Sequence, residues 1–329
     1  MKWQELLGII GGERLFIQTH DYPDPDAIAS AFGLQAFLAH FGIHSLLCYS
    51  GEAERISVTT AIEAFNIPIF HFSDSLCMQS EDRIILVDGQ KFNANMSDLP
   101  GTVIACIDHH PIRREPSYAF TDIRQVGSCS SIIADYFLSA KIPLPRDVAT
   151  MLLYGLHVDT GYMTRGVQDL DLDIFPMLYR ASDQESLERV ESRNLEFADL
   201  KAFGAAINSI TIFDRTGFAY IPFSCPDALI AQVANFILSL AEVDVAIISS
   251  SRPNGIKYSV RSVMTGLHSG SMLAELMPPY GSGGGHAGMA GGFVRKEAII
   301  ENGMDEEQVM NLLKEHFLTY ISQHAQKNT

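Results

Sequence analysis

Short apolar runs alternate with stretches of helical periodicity through the first half of the chain. Arg14–Thr19 (RLFIQT), Ser45–Tyr49, Arg83–Val87 (RIILV) and Thr102–Ile107 (TVIACI) have strand length and few polar breaks, the pattern of strands buried on both faces. Asp26–Phe41, Ser128–Ala140 and Arg146–Val158 carry their apolar residues at helical spacing. Strands alternating with helices predict βαβ units and a mainly parallel sheet, which binds ligands at the carboxyl ends of its strands. The opening MKWQELLGIIGGERLF holds Glu5 inside its only apolar run, which predicts a first helix rather than a signal peptide.

The pattern changes after Asp183–Phe203, a charge-rich segment predicted to be one connecting helix. Beyond it Ile210–Phe213, Gly217–Phe223, Val243–Ser249 and Lys257–Val263 read as strands, and Asp227–Leu240 and Asp305–His324 as helices. Gly281–Gly292 reads as a glycine-rich loop before a short strand. The expected fold class is α/β: an N-terminal mainly parallel sheet flanked by helices over residues 1–185, a linker helix over 186–205, and a smaller C-terminal α/β domain over 206–329. The active site is expected in the cleft between the two domains.

Composition narrows the functions this fold can serve. A length of 329 residues suits two domains, and no stretch reaches the ~18 apolar residues of a membrane span. The five cysteines are odd in number, scattered and without a C-x-x-C pair. That argues against a disulfide framework or a zinc–thiolate site, and for buried thiols in a reducing cytoplasm. A net charge of −16 disfavours a protein that holds long duplex nucleic acid, because phosphate neutralisation by basic residues supplies most of that affinity. It leaves room for a small anionic substrate, since bound metal ions supply positive charge locally.

Candidate chemistry gathers where predicted strands end. His20-Asp21-Tyr22-Pro23-Asp24-Pro25-Asp26 follows the first strand; its two prolines forbid regular structure and let His20, Asp24 and Asp26 converge. One carboxylate there would serve as a helix cap, so the excess favours a divalent metal such as Mn²⁺. Asp88 follows the Arg83–Val87 run, and Asp108-His109-His110 follows Thr102–Ile107. Asp159 closes a helical stretch before Gly161, with His157 an incidental neighbour. In the C-terminal half, Gly283-Gly284-Gly285-His286 offers backbone amides and an imidazole to a phosphate, and Arg261 lies on a predicted strand of the same domain, where it could make a bidentate phosphate contact.

Together these segments resemble the DHH phosphoesterase family: a His-x-x-x-Asp-x-Asp loop (His20, Asp24, Asp26), a lone strand-end Asp (Asp88), Asp-His-His (Asp108, His109, His110), a fourth Asp in an Asp-Thr-Gly context (Asp159), and the Gly-Gly-Gly-His of its associated C-terminal domain. Ala29 stands where the family usually has Gly. The resemblance implies two Mn²⁺ ions, with Mg²⁺ or Co²⁺ as substitutes. His20, Asp24 and Asp88 would hold one, and Asp26, Asp88, His109 and Asp159 the other, with Asp88 bridging. Asp108 would orient the histidine pair and His110 would face the scissile phosphate, while Arg261, Gly284, Gly285 and His286 bind substrate. The implied reaction is hydrolysis without a phosphoenzyme, on short oligonucleotides or small nucleotides such as 3′-phosphoadenosine 5′-phosphate. Alternatives are a cyclic-dinucleotide phosphodiesterase, an inorganic pyrophosphatase or exopolyphosphatase, and a non-catalytic nucleotide sensor. Apolar edges of the second domain leave room for a homodimer, and neither a membrane nor long duplex nucleic acid is an expected partner.

Overall fold

The computed structural model describes residues 1–51, 56–73, 77–93, 95–112, 117–192 and 195–325. The chain divides into two compact units, Met1–Leu195 and Glu196–Thr329; each is described by itself.

The first unit holds strands β1 (Leu15–Gln18), β2 (Ser45–Tyr49), β3 (Ile69–His71), β4 (Arg83–Val87), β5 (Thr102–Asp108) and β6 (Phe120–Ile123), in one parallel sheet of order β3-β2-β1-β4-β5-β6. Its helices are α1 (Lys2–Ile9), α2 (Pro25–His40), α3 (Ile56–Ala64), α4 (Cys129–Ala140), α5 (Arg146–Thr160), α6 (Asp169–Ala181) and α7 (Gln184–Ser192). The apolar runs make central strands because successive side chains enter different cores. Ile17, Ile85, Val87, Ala105 and Ile107 pack with the helices, while Phe16, Ile84, Leu86 and Cys106 meet Met78, Met96 and Leu99 on the opposite face. Gly33 lets α2 lie against α4 and α5: a Cβ there would stand 2.9 Å from Ile133 and 3.0 Å from Leu152. The strand order reverses direction between β1 and β4, and the carboxyl ends of strands flanking such a switch point form a ligand crevice.

The second unit builds helices α8 (Leu200–Ser209), α9 (Asp227–Leu238), α10 (Ser269–Leu276), α11 (Lys296–Glu301) and α12 (Glu306–Ala325) around a mixed sheet. Its strands are β7 (Thr211–Phe213), β8 (Thr216–Ile221), β9 (Val245–Arg252), β10 (Gly255–Ser262), β11 (Gly281–Gly285) and β12 (Met289–Arg295), in the order β11-β12-β10-β9-β8-β7. Val245 and Ile247 face α10 and α12, and Ala246 and Ile248 face α8 and α9.

Three expectations need correction. The glycine-rich loop is a hairpin: β11 pairs antiparallel with β12 from Gly281↔Val294 to Gly285↔Ala290. Glycines with no side-chain alternation conceal a strand whose backbone ladder holds it. The single connecting helix is α7 and α8, with a 3₁₀ turn at Phe197–Asp199 between them; Asp199 accepts the Glu196 amide at 2.8 Å and starts a new helix. Cys48, Cys106, Cys129 and Cys225 are free and buried, but Cys77 is exposed. No helix among the described residues is long and apolar enough to cross a membrane.

Candidate active site

Past β1 the chain turns through His20 to Asp24, and Pro25 opens α2 at a position that needs no amide hydrogen. Asp24 is the N-cap: its Oδ1 accepts the amides of Asp26 and Ala27, each at 3.0 Å. Asp26, two residues on, is wholly buried. Its carboxylate accepts the Cys129 amide at 2.7 Å and the Ser130 amide at 2.9 Å, so the positive end of α4 holds it. Gly155 on α5 makes room for this contact, since a Cβ there would lie 2.4 Å from Ser130 Oγ and 2.9 Å from Asp26 Oδ1.

Asp88, one residue past β4, has φ of 56°, a left-handed conformation that costs a non-glycine residue roughly 1–3 kcal/mol and is concentrated at functional sites. Its amide donates to Ile107 carbonyl at 3.0 Å, which fixes the turn. Its Oδ2 lies 3.7 Å from His20 Nε2, and its Oδ1 lies 3.4 Å from His109 Nε2 and 3.7 Å from His110 Nδ1. His109 Nε2 is also 3.3 Å from Asp159 Oδ2, on the last turn of α5, and 4.0 Å from Asp26 Oδ2. Three overlapping groups result, their ligand atoms within 4.8 Å of one another: His20, Asp24 and Asp88; Asp26, His109 and Asp159; and Asp88, Asp108, His109 and His110.

Asp108 is fully buried at the end of β5. Its Oδ1 accepts the amides of His109 and His110 and His110 Nδ1 at 2.8, 3.2 and 2.8 Å, and its Oδ2 accepts Gln90 Nε2 at 2.7 Å. Gln90 also donates to His110 carbonyl at 3.0 Å. Sequence reasoning assigned Gln90 no role; its only signal was a polar residue beside a strand-end Asp. His109 Nδ1 lies 3.2 Å from Val126 carbonyl, and as a donor there it aims Nε2 into the carboxylate cluster. His157 sits elsewhere, bonded to Glu191 at 2.8 Å.

The electrostatics of this cluster call for a cation. Burial, then the neighbouring charges of Asp88 and Asp159, hold the Asp26 carboxyl well above its ordinary range. Burial and Asp24 push Asp159 up to about 6. Burial alone would discharge His109, but Asp159, Asp88 and Asp26 outweigh it and hold the imidazole well above its usual value. His110, held by Asp108 against its own desolvation, is raised to about 9. Asp88 Oδ1 and His109 Nε2 are buried without a hydrogen-bond partner, which is costly unless something else satisfies them. Carboxylate and imidazole donors in this number fit a divalent ion of borderline-to-hard character.

In the second unit, Arg261 on β10 pairs in register with Met289 of β12, and the His286 amide donates to Met289 carbonyl at 2.7 Å. The Arg261 and His286 backbones therefore flank the same residue at one end of the sheet. The glycines between β10 and β12 have different reasons. Gly283 lies under α10, where a Cβ would meet Leu273 at 2.9 Å, and Gly285 has φ of 145° with Met289 carbonyl oxygen 2.5 Å from where a Cβ would stand. At Gly284 a Cβ would meet nothing within 4 Å, so packing within the chain does not demand glycine there.

Residues 14–156 match the DHH family, N-terminal domain, and residues 216–317 match the DHHA1 domain. The chain belongs to the DHH family and carries a DHHA1 domain in its second unit. In the first unit, which carries the DHH match, the acidic and imidazole cluster has the donor set of a divalent-metal centre. The chain is 27% identical over 304 residues to an uncharacterized protein of Methanocaldococcus jannaschii, aligning 92% of itself but spanning only 62% of that protein. It is 28% identical over 286 residues to a probable manganese-dependent inorganic pyrophosphatase of Streptococcus thermophilus, covering 80% of this chain and 86% of the relative. Among solved structures, an exopolyphosphatase-related protein from Bacteroides fragilis superposes with a TM-score of 0.68 at 21% identity, over 92% of this chain and 94% of that one. An exonuclease RecJ bound to manganese gives 0.52 at 13% identity, over 100% of this chain and 96% of that one.

Proposed function

We propose that the chain hydrolyses a phosphoester of a short oligonucleotide or small nucleotide at a centre of two Mn²⁺ ions, with Mg²⁺ or Co²⁺ as substitutes. The observation that carries this reading is the pair of buried atoms without a hydrogen-bond partner, Asp88 Oδ1 and His109 Nε2, set among the carboxylates of Asp26 and Asp159. His20, Asp24 and Asp88 would hold one ion, and Asp26, Asp88, His109 and Asp159 the other. Bound divalent ions supply acidity to water and offset charge on a phosphoryl group. The chain's own residues supply orientation. Asp108 takes the Nδ1 hydrogen of His110 and leaves Nε2 for the scissile phosphate. Gln90 holds Asp108 in turn, so the imidazole enters the reaction already aimed. From the second unit, Arg261, His286 and the amides of Gly284 and Gly285 would bind substrate phosphate.

The resemblance of Gly283-Gly284-Gly285-His286 to the glycine-rich His loop of the family's nucleotide-handling branch supports a nucleotide substrate. A second reading, inorganic pyrophosphate, has specific support in the Streptococcus thermophilus relative, a probable manganese-dependent inorganic pyrophosphatase. Hydrolysis assays at about 1 mM Mn²⁺, near the upper end of common KM values, separate the two. The panel is a ribodinucleotide, a pentanucleotide, 3′-phosphoadenosine 5′-phosphate, a cyclic dinucleotide and pyrophosphate, run with the wild type and Asp108→Ala. Nucleotide turnover that disappears in the variant supports the first reading, and turnover of pyrophosphate alone replaces it with the second. No turnover of any member by the Mn²⁺-loaded protein would sink both.

A further inference from the structure

The second unit contains a cavity of about 210 Å³ that the proposed hydrolysis does not use. Its floor is the sheet face of Phe218, Ile247 and Tyr258, and its wall is one face of α12, where Met310, Lys314 and Phe317 recur at helical spacing. Three features distinguish it from a packing defect. The walls are apolar: Ile247 and Phe317 are buried, and the Tyr258 ring meets Phe317 edge-on with centroids 5.9 Å apart. Tyr258 is 3% exposed, yet its hydroxyl has no hydrogen-bond partner among the described residues, which costs about 1–3 kcal/mol if nothing fills the role. At the rim, the Lys314 ammonium is held by Thr211 Oγ1 at 3.2 Å and by the ring faces of Phe213 and Phe218 at 4.1 and 5.2 Å, rather than by a carboxylate.

We infer that this cavity binds a small planar aromatic anion, with its ring against Phe218 and Met310, an acceptor taking the Tyr258 hydroxyl hydrogen, and its negative group on Lys314. The volume sets the size. An apolar cavity of about 150 Å³ accommodates benzene, so this one suits a one- or two-ring system. A purine nucleoside monophosphate and a simple aromatic carboxylate share the required chemistry. The inference does not depend on the proposed hydrolysis, because none of the residues it uses is a proposed metal ligand or one of Arg261, Gly284, Gly285 and His286.

The test is calorimetric titration of the full chain in EDTA, where turnover is silent, with adenosine 5′-monophosphate, adenosine and benzoate as probes. The wild type, Tyr258→Phe, Lys314→Met and the paired variant Arg261→Ala/His286→Ala are compared. Tyr258→Phe should weaken binding of adenosine 5′-monophosphate or benzoate about three- to tenfold, the worth of one neutral hydrogen bond, and melt no lower than wild type. Lys314→Met should weaken the anionic probes but leave adenosine unchanged. Arg261→Ala/His286→Ala should change none of these affinities. Tight benzoate with weak nucleotide would assign a non-nucleotide aromatic acid; the reverse would assign a nucleotide. Absence of binding by all probes, or binding that responds only to Arg261→Ala/His286→Ala, overturns the inference. Either result leaves the Mn²⁺-dependent assay to judge the hydrolysis separately.

Discussion

Asp108 accepts the Nδ1 hydrogen of His110 at 2.8 Å, and that bond decides which nitrogen of His110 is left to face outward. Four donors converge on this one buried carboxylate: the amides of His109 and His110, His110 Nδ1 and Gln90 Nε2. An amide in its place has a single acceptor oxygen, so Asp108→Asn sets an Nδ2 donor against either His110 or Gln90. The expected result is a fall in kcat of about 10- to 100-fold, the usual cost of losing a group that orients the reacting ones, with a much smaller change in KM. Steady-state kinetics on the best substrate, with circular dichroism to establish folding, checks it. An unchanged kcat would show that the orientation of His110 does not matter to the reaction.

Asp88 separates metal binding from folding. Its Oδ1 has no hydrogen-bond partner, and its charge raises the carboxyls of Asp26 and Asp159. Asn tolerates the left-handed φ of 56° at this position. In EDTA, Asp88→Asn should therefore melt near the wild-type temperature, because it removes the repulsion toward Asp26 and Asp159 together with the attraction toward His109 and His110. With Mn²⁺ at about 100 times its Kd, the wild type should gain about 2.7 kcal/mol by mass action and the variant far less. Paired thermal melts measure both effects. A variant that melts well below wild type in EDTA would mean that Asp88 is a structural residue.

Much of the fold was legible because the central strands are buried on both faces. Phe16 and Ile17 enter different cores, so β1 reads as an unbroken apolar run. The edges left no such trace. β3 is a three-residue strand with two exposed positions, and β6 contains Asp122, neutralised by Arg124 and hydrogen-bonded by the Tyr136 hydroxyl. β11 is four glycines and a serine, a strand written in backbone bonds alone. At the candidate site, the histidines and aspartates were visible as titratable residues at strand ends. What holds them was not. The amides of Cys129 and Ser130 that bind Asp26 have no side-chain signature and lie more than a hundred residues away. Gln90 acquires its role only when β4 and β5 bring it beside Asp108.

The metal-free protein should lose stability as pH rises. The carboxyls of Asp26 and Asp159 are raised by burial and by neighbouring charge, Asp159 to about 6, so the folded state binds their protons more tightly than the unfolded chain does. That advantage disappears as pH climbs from the unfolded carboxyl value through about 6. His110 is raised to about 9 by Asp108. Its contribution is complete below the unfolded imidazole value, near 6.5, and is lost as pH rises through about 9. Both trends have the same sign. Melting in EDTA should fall between about pH 5.5 and about pH 8.5, while saturating Mn²⁺, which needs deprotonated ligands, should stabilise most at the upper end. A flat EDTA profile would show that the cluster is not charged as described.

Two neighbouring glycines should fail in different ways. At Gly285, φ is 145° and a Cβ would stand 2.5 Å from Met289 carbonyl oxygen and 2.7 Å from Ala290 Cα. Gly285→Ala therefore strains the backbone and pushes β11 off β12, and should cost on the order of 1–3 kcal/mol of stability. Gly284 pairs with Gly291 in the same ladder, but its Cβ would project into open space. Gly284→Ala should melt within about 0.5 kcal/mol of wild type, as substitutions without a structural conflict usually do. If a substrate phosphate approaches the backbone here, the added methyl group obstructs it, and KM should rise several-fold with kcat little changed. Melting curves and kinetics on both variants check this. An unaltered KM for Gly284→Ala, with normal stability, would remove Gly284 from the substrate-binding residues and leave Arg261 and His286 to hold the phosphate.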